Sequence, residues 1–327
     1  MKTNFKKIGL LVLATLSFIG CEKDKTNTEP ATALEFAAVR EMALEAQTQN
    51  FTATAGIGLI TLTSEKGVTI EINGNCLTKN GNPVTGSIDI EFVELFDKGT
   101  MLVTNKPTMG IMPSGDRSLL ISGGEFFIKA TQGGVELEMP CNINLVVPSS
   151  LSSLTDGIDN EMGLFKGLID EEGELAWRPA EGGATGGQEG GVFPEGNNYN
   201  VTFGDFGWAN VDKFYSDPRP RTTILVDAPT GYDDTNCAVY LSYDGEGQNA
   251  LAKLDTYNSV TGLFSEHYGQ IPIGLACHVI FATEENGQWR YAIKGVTVAA
   301  DDSYTFTLAE TMLGTEAQLV AAINAIQ

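Results

Sequence analysis

From residue 57 onward the chain consists largely of short stretches in which apolar and polar residues alternate, and this two-residue period limits its fold more than anything else. Val68, Ile70 and Ile72 alternate with Thr69, Glu71 and Asn73, and Ile88, Ile90 and Phe92 frame Asp89 and Glu91. Successive side chains of a strand point to opposite faces, so the pattern describes half-buried strands. Further strands are expected at 57–63, 119–122, 125–131, 135–139 and 142–147, and then at 222–227, 237–243, 275–283, 289–298 and 303–308. Asn80-Gly81-Asn82-Pro83, Gly123-Gly124 and Gly133-Gly134 read as the turns between them, and Asn286-Gly287 as a tight hairpin needing positive φ. Such short gaps hold no crossover helices, so the sheets should be antiparallel. Two capping boxes mark helices at the ends. Thr32 with Glu35 precedes Phe36, Val39, Ala43 and Ala46 and predicts a helix over 32–47; Thr315 with Gln318 precedes Leu319, Val320, Ile323 and Ile326 on one face. The fold class this predicts is all-β: two antiparallel β-sandwich domains with short N- and C-terminal helices.

The N-terminus reads as an address. Lys2, Lys6 and Lys7 precede an apolar run from Ile8 to Ile19, shorter than the ~20 residues that span a bilayer, and Gly20 stands directly before Cys21. That is a secretory signal layout. Phe18-Ile19-Gly20-Cys21 resembles the lipobox of bacterial lipoproteins, with Phe18 where Leu is usual, which implies cleavage before Cys21 and lipidation of its thiol. Glu22-Lys23-Asp24-Lys25 resembles the charged signal that sends Bacteroidota lipoproteins to the cell surface. Several acyl chains give durable anchoring where one is marginal. The expected division is a signal peptide at 1–20, a lipidated tether at 21–31, a helix and lead-in at 32–54, a first sandwich at 55–179, a glycine-rich linker at 180–196, and a second sandwich with the terminal helix at 197–327.

With 42 acidic and 20 basic side chains the formal charge is −22, which repels phosphate backbones and excludes nucleic acid as a partner. Cys76, Cys141, Cys237 and Cys277 all fall on inward strand phases. Export permits bonding, and pairing within domains gives Cys76–Cys141 and Cys237–Cys277, with buried free thiols as the alternative for each pair.

A second resemblance covers about residues 55–150. Gly81-Asn82-Pro83-Val84-Thr85-Gly86, the strand through Glu91, Lys98-Gly99-Thr100-Met101, and Gly123-Gly124 before Glu125-Phe126-Phe127-Ile128-Lys129-Ala130 look like the ZU5-like β-sandwich domain of Bacteroidota surface proteins. The segments around Trp177-Arg178-Pro179 and Gly207-Trp208 resemble the continuation of such chains. No catalytic residues come with this family, so it implies an interaction or scaffold role.

The residues offer few sites for chemistry. His267 and His278 lie in different predicted elements, and no Gly-x-Ser-x-Gly nucleophile elbow is present. Asp156, Asp159 and Glu161, or Asp233 with Asp234, offer oxygen ligands for calcium but match no EF-hand loop, so neither a metal nor a cofactor is expected. Trp208, Tyr215, Trp289 and Tyr291 are the candidate ligand-binding residues: they either form a flat aromatic platform for a sugar ring or pack the second core. The expected protein is a non-enzymatic, lipid-anchored, surface-exposed outer-membrane lipoprotein. Its partners are then the membrane through the lipid and an outer-membrane protein, or alternatively a glycan in a polysaccharide-uptake system.

Overall fold

A computed structural model of the chain describes residues 29–152, 157–170, 173–181, 190–245, 249–266 and 269–326. The predicted leader, Cys21 and most of the tether lie outside these residues. The fold is all-β and sandwich-like, with three short α-helices among the described residues: α1 (Ala33–Ala46), α2 (Lys98–Val103) and α3 (Glu316–Asn324). The capping boxes at Thr32 and Thr315 form as predicted. In each, the threonine hydroxyl accepts from the third helical N–H while that residue's side chain accepts from the cap.

One sheet of the first sandwich runs Gln49–Ala55, Gly86–Leu95, Arg117–Gln132, Gly207–Phe214, Gly163–Ile169, Leu175–Pro179 and Met109–Ile111 in spatial order. Met109–Ile111 also pairs back to Arg117–Gln132, so this end of the sheet closes on itself, and Leu120, Phe165, Leu175 and Trp177 pack together there. The facing sheet runs Gly190–Glu195, Asn198–Phe203, Ile143–Pro148, Thr69–Asn73 and Leu59–Thr63. The alternation read from the sequence places Ile70, Ile72, Ile88, Ile90 and Phe92 in the core between the two sheets.

The second sandwich pairs a sheet of Leu251–Lys253, Cys237–Tyr243, Ala276–Glu285, Gln288–Thr297 and Met312–Gly314 with a smaller one of Thr256–Asn258, Leu263–Ser265, Leu225–Asp227 and Ser303–Thr305. Their shared core holds Val226, Val239, Phe264, Phe281 and Phe306. A third core ties the halves together. Phe36 and Val39 of α1, Met101 and Leu102 of α2, Leu319 and Ile323 of α3, Val93 and Leu95 of the first sandwich, and Tyr240, Ile280 and Trp289 of the second pack in one cluster. Burying each such side chain contributes about 1.5–3 kcal/mol. The closest helix contact is at Gly99, whose Cβ, if present, would lie 2.6 Å from the Val320 carbonyl oxygen.

Four corrections to the sequence reading follow. Gly123-Gly124 is not a turn but part of the continuous strand Arg117–Gln132. Gly124, at φ +139, lets the strand pass the Phe96 ring, which an added Cβ would meet at 2.5 Å. The glycine-rich run at 180–196 does not link two domains: its last part, Gly190–Glu195, is a strand of the first sandwich, as is Leu175–Pro179 before it, and residues 182–189 lie outside the described residues. The strands from Gly190 to Phe214 complete the first sandwich, so residues 197–214 do not open the second. Finally, two pairings are parallel, Leu225–Asp227 with Ser303–Thr305 and Trp177 with Gly110, so the two sheets that hold them are mixed while the other sheet of each sandwich is antiparallel throughout.

Candidate functional site

The strand ending at Asn73 and the strand beginning at Ile143 are neighbours, with Ile72 opposite Ile143. Cys76 and Cys141 therefore meet at one end of the sheet and form a disulfide, with Cα atoms 5.9 Å apart. The expected Cys237–Cys277 bond does not form; both thiols are free and buried. The strands carrying them are adjacent, but Cys237 faces Thr283 and Cys277 faces Tyr243. Six residues of register separate the two sulfurs, roughly 20 Å at ~3.3 Å per residue, far beyond the ~4.4–6.8 Å Cα spacing of a disulfide. Burial pushes the Cys277 thiol up to about 12 and raises that of Cys237 further.

The aromatic platform is also corrected. Trp289 and Tyr291 do share a strand face, but that face is buried under α1 and α3, with Phe36 edge-on to Trp289 at 6.3 Å. Trp208 is wedged between Phe127 and Trp177, and Tyr215 stands edge-on to Tyr243 on the second core. Trp208, Trp289 and Tyr291 all pack on the third core and Tyr215 packs on the second, so the four present no common surface.

Acidic and basic candidates have structural partners. Lys213 bridges Asp159 at 2.7 Å and Glu161 at 3.0 Å. Asp233 accepts from the Thr235 amide and hydroxyl, tightening its own turn. Among the described residues no three His, Cys, Asp or Glu side chains gather as a metal centre would require; Asp156 and His267 lie outside the described residues. His278 Nδ1 is 2.7 Å from Asp244 Oδ1, and its ring lies over Gly295.

Sequence reasoning missed one polar cluster. Glu125 and Asp212, both fully buried, come from the paired strands Arg117–Gln132 and Gly207–Phe214, where the register slips between Asn210 and Asp212. Asn210 donates to Asp212 Oδ2 at 2.6 Å, and Ser122 donates to Asn210 Oδ1 at 3.1 Å. Both oxygens of Glu125 lack hydrogen-bond partners. Burial and the neighbouring Asp212 hold the Glu125 carboxyl well above its ordinary value against the pull of Lys106, and burial raises Asp212 likewise against its hydrogen bonds. The available signal was a lone glutamate followed by Phe126-Phe127-Ile128. This cluster is sealed from solvent.

Open concave surface lies elsewhere, on the small sheet of the second sandwich. A groove of 640 Å³ covers its outer face, a volume within the ~300–1,000 Å³ usual for small-molecule sites. Leu225 and Leu263 form an apolar floor, and Thr256, Asn258, Thr261 and Ser265 form a polar rim. Alternation puts Val226, Phe264 and Tyr304 inward and these residues outward. Asn258 Oδ1 accepts from the Val260 and Thr261 amides and so fixes the turn, while its amide nitrogen has no partner among the described residues. A second groove of 490 Å³ shares Tyr257 with the first and runs past Asp227, Gly231 and Phe306. Burial and the nearby Asp233, Asp234 and Asp227 carboxylates raise the Tyr257 hydroxyl. These surfaces offer hydroxyls, an amide and apolar floor, the means of holding a ligand by its shape.

A scan of the chain against protein-family models gave no match, and a search of curated proteins gave none.

Proposed function

We propose that the chain is a lipid-anchored outer-membrane lipoprotein, exposed at the cell surface, that acts as a non-enzymatic recognition module with a ZU5-like sandwich as its first half. The observation that carries the recognition reading is the pair of open grooves on the second sandwich, lined by hydroxyls, an amide and leucines. The anchor reading is supported by the charged start, apolar run and Gly20-Cys21 of the leader. Pro30, nine residues beyond Cys21, packs against Gly231 at the rim of the second groove. At ~3.3–3.6 Å per extended residue, the recognition surface then hangs within about 30 Å of the lipid.

An outer-membrane protein is the first partner this reading supplies. Crosslinking on intact cells tests it: recovery of a defined outer-membrane partner is expected, together with an acylated Cys21 in the mass spectrum of the native protein. An uncut leader, or an unmodified Cys21 sulfur, would overturn the anchor. The second reading, a glycan-binding accessory of polysaccharide uptake, is favoured by the neutral polar lining of the first groove.

A further inference from the structure

The outer face of the small sheet has a row structure that narrows its ligand. Asn258 lies opposite Leu263, and Leu263 lies opposite Asp227, on three neighbouring strands. An apolar side chain thus stands between an amide and a carboxylate, each about 4.8 Å away across one strand spacing. The next row repeats the theme, with Thr256, Ser265 and Leu225 side by side. Strips of apolar floor edged by hydrogen-bonding groups complement a pyranose ring, which shows C–H bonds on its face and hydroxyls around its edge. The two hydroxyls of the second row are turned into the sheet: Thr256 donates to the Ser265 carbonyl at 2.7 Å, and Ser265 Oγ lies 2.9 Å from the Ile224 carbonyl. Ser265 Oγ also contacts Thr223 Oγ1 at 2.9 Å, so both hydroxyls are fixed in place before a ligand binds.

Charge decides among ligands of this shape. Among the described residues no lysine or arginine lines the first groove, and Lys294, over the Phe306 ring beside the second, is paired with Glu310 at 2.9 Å; Asp227 borders the row while Asp233 and Asp234 lie near Tyr257, common to both grooves. A uronate, sulfate or phosphate would meet carboxylates, with the nearby Lys294 already paired to Glu310, and the strongly acidic chain adds to that repulsion. The groove also covers the sheet face and not its edge, so a peptide adding a strand along Thr256–Asn258 would leave the leucine floor unused.

We propose that this face is a binding site for an uncharged polysaccharide, with Leu263 and Leu225 beneath the sugar rings and the Asn258 amide donating to ring hydroxyls. The proposal rests on the recognition-module reading and fixes its ligand class. It is tested with the full-length mature protein in detergent by affinity electrophoresis through gels holding a neutral polymer (mannan, xylan, laminarin or soluble starch) or an anionic one (polygalacturonate or heparin). At least one neutral polymer should retard the protein and neither anionic one should. Asn258→Asp keeps the oxygen that fixes the turn and removes the donor, so retardation should weaken at least five-fold with the melting temperature unchanged; Leu263→Ser should weaken it similarly. Retardation by none of the neutral polymers, by the anionic ones, or equally in both variants would overturn the site. Cell crosslinking with the same variants separates the two levels. A protein partner lost on Asn258→Asp, without glycan retardation, would retain the recognition module and sink the polysaccharide.

Discussion

Removing the Cys76–Cys141 bond should be the most damaging pair of small substitutions in the first sandwich. The bond closes a loop of sequence separation 65. That loop contains α2 and the long strands Gly86–Leu95 and Arg117–Gln132, so it crosses from one sheet to the other and back. The entropy lost by the unfolded chain on closing a loop of this size corresponds to about 4 kcal/mol at 25 °C. Packing adds little, since both cysteines are only half-buried at the margin of the core. For Cys76→Ala with Cys141→Ala, urea unfolding of the soluble protein beginning at Glu22 should show a stability loss of ~3–4 kcal/mol. With a slope of ~3 kcal/mol per molar urea, the midpoint falls by about 1–1.4 M. Because the third core joins the halves, fluorescence and circular dichroism should report one coincident transition in the unmutated protein. A loss below 1 kcal/mol would refute the reasoning, since it would mean that the unfolded chain is already confined without the crosslink.

Three more outcomes are expected. In the same soluble protein, thiol titration without reductant should find two reactive groups in denaturant and almost none in buffer, because Cys237 and Cys277 are buried with raised thiol values; four in denaturant would contradict the disulfide. Gly99→Ala forces a methyl against the Val320 backbone and should cost ~1–3 kcal/mol by thermal or urea unfolding, whereas an unchanged midpoint would show that α3 shifts at no cost. Glu125 and Asp212 keep their protons in the folded state above the ordinary carboxyl values of 4.5 and 3.8, where the unfolded chain releases them, so stability is fullest below those values and declines as pH rises through the raised ones. Glu125→Gln should remove up to one proton's slope, ~1.4 kcal/mol per pH unit; an identical pH profile would place the ionisation elsewhere.

Local pattern carried the strands that bury one face against a clear polar alternation, such as Thr69–Asn73 and Gly86–Leu95. It failed where both faces are covered. Cys237–Tyr243 is buried at all seven positions, so alternation shows that Trp289 and Tyr291 share a face on another strand of the same sheet but not that helices lie on it. Lys98–Val103 spans fewer than two turns and is buried all round, which leaves no helical period to see. Sequence alone puts Asn198–Phe203 and Gly207–Phe214 in the second half because their pairing with Ile143–Pro148 and Arg117–Gln132 is a long-range choice, and the glycine run before them looks like a boundary. Inward phase finds Cys237 and Cys277 in the core, whereas Cys76 and Cys141 sit half-buried just beyond the ends of their strands, and which pair can meet depends on register. The groove left no mark at all: threonine, serine and asparagine beside a turn are what any exposed hairpin carries.

The last nine-residue helix of the chain lies on α2, more than two hundred residues earlier, with Asn324 accepting from the Gly99 amide at 2.8 Å and donating to Asp97 at 2.7 Å. A polypeptide synthesised N-terminus first therefore cannot seal the seam around Met101 and Leu102 until its last turns have been made. Until then the first sandwich carries an uncovered apolar patch, so a truncation that removes α3 becomes a defect of a seam built more than two hundred residues earlier.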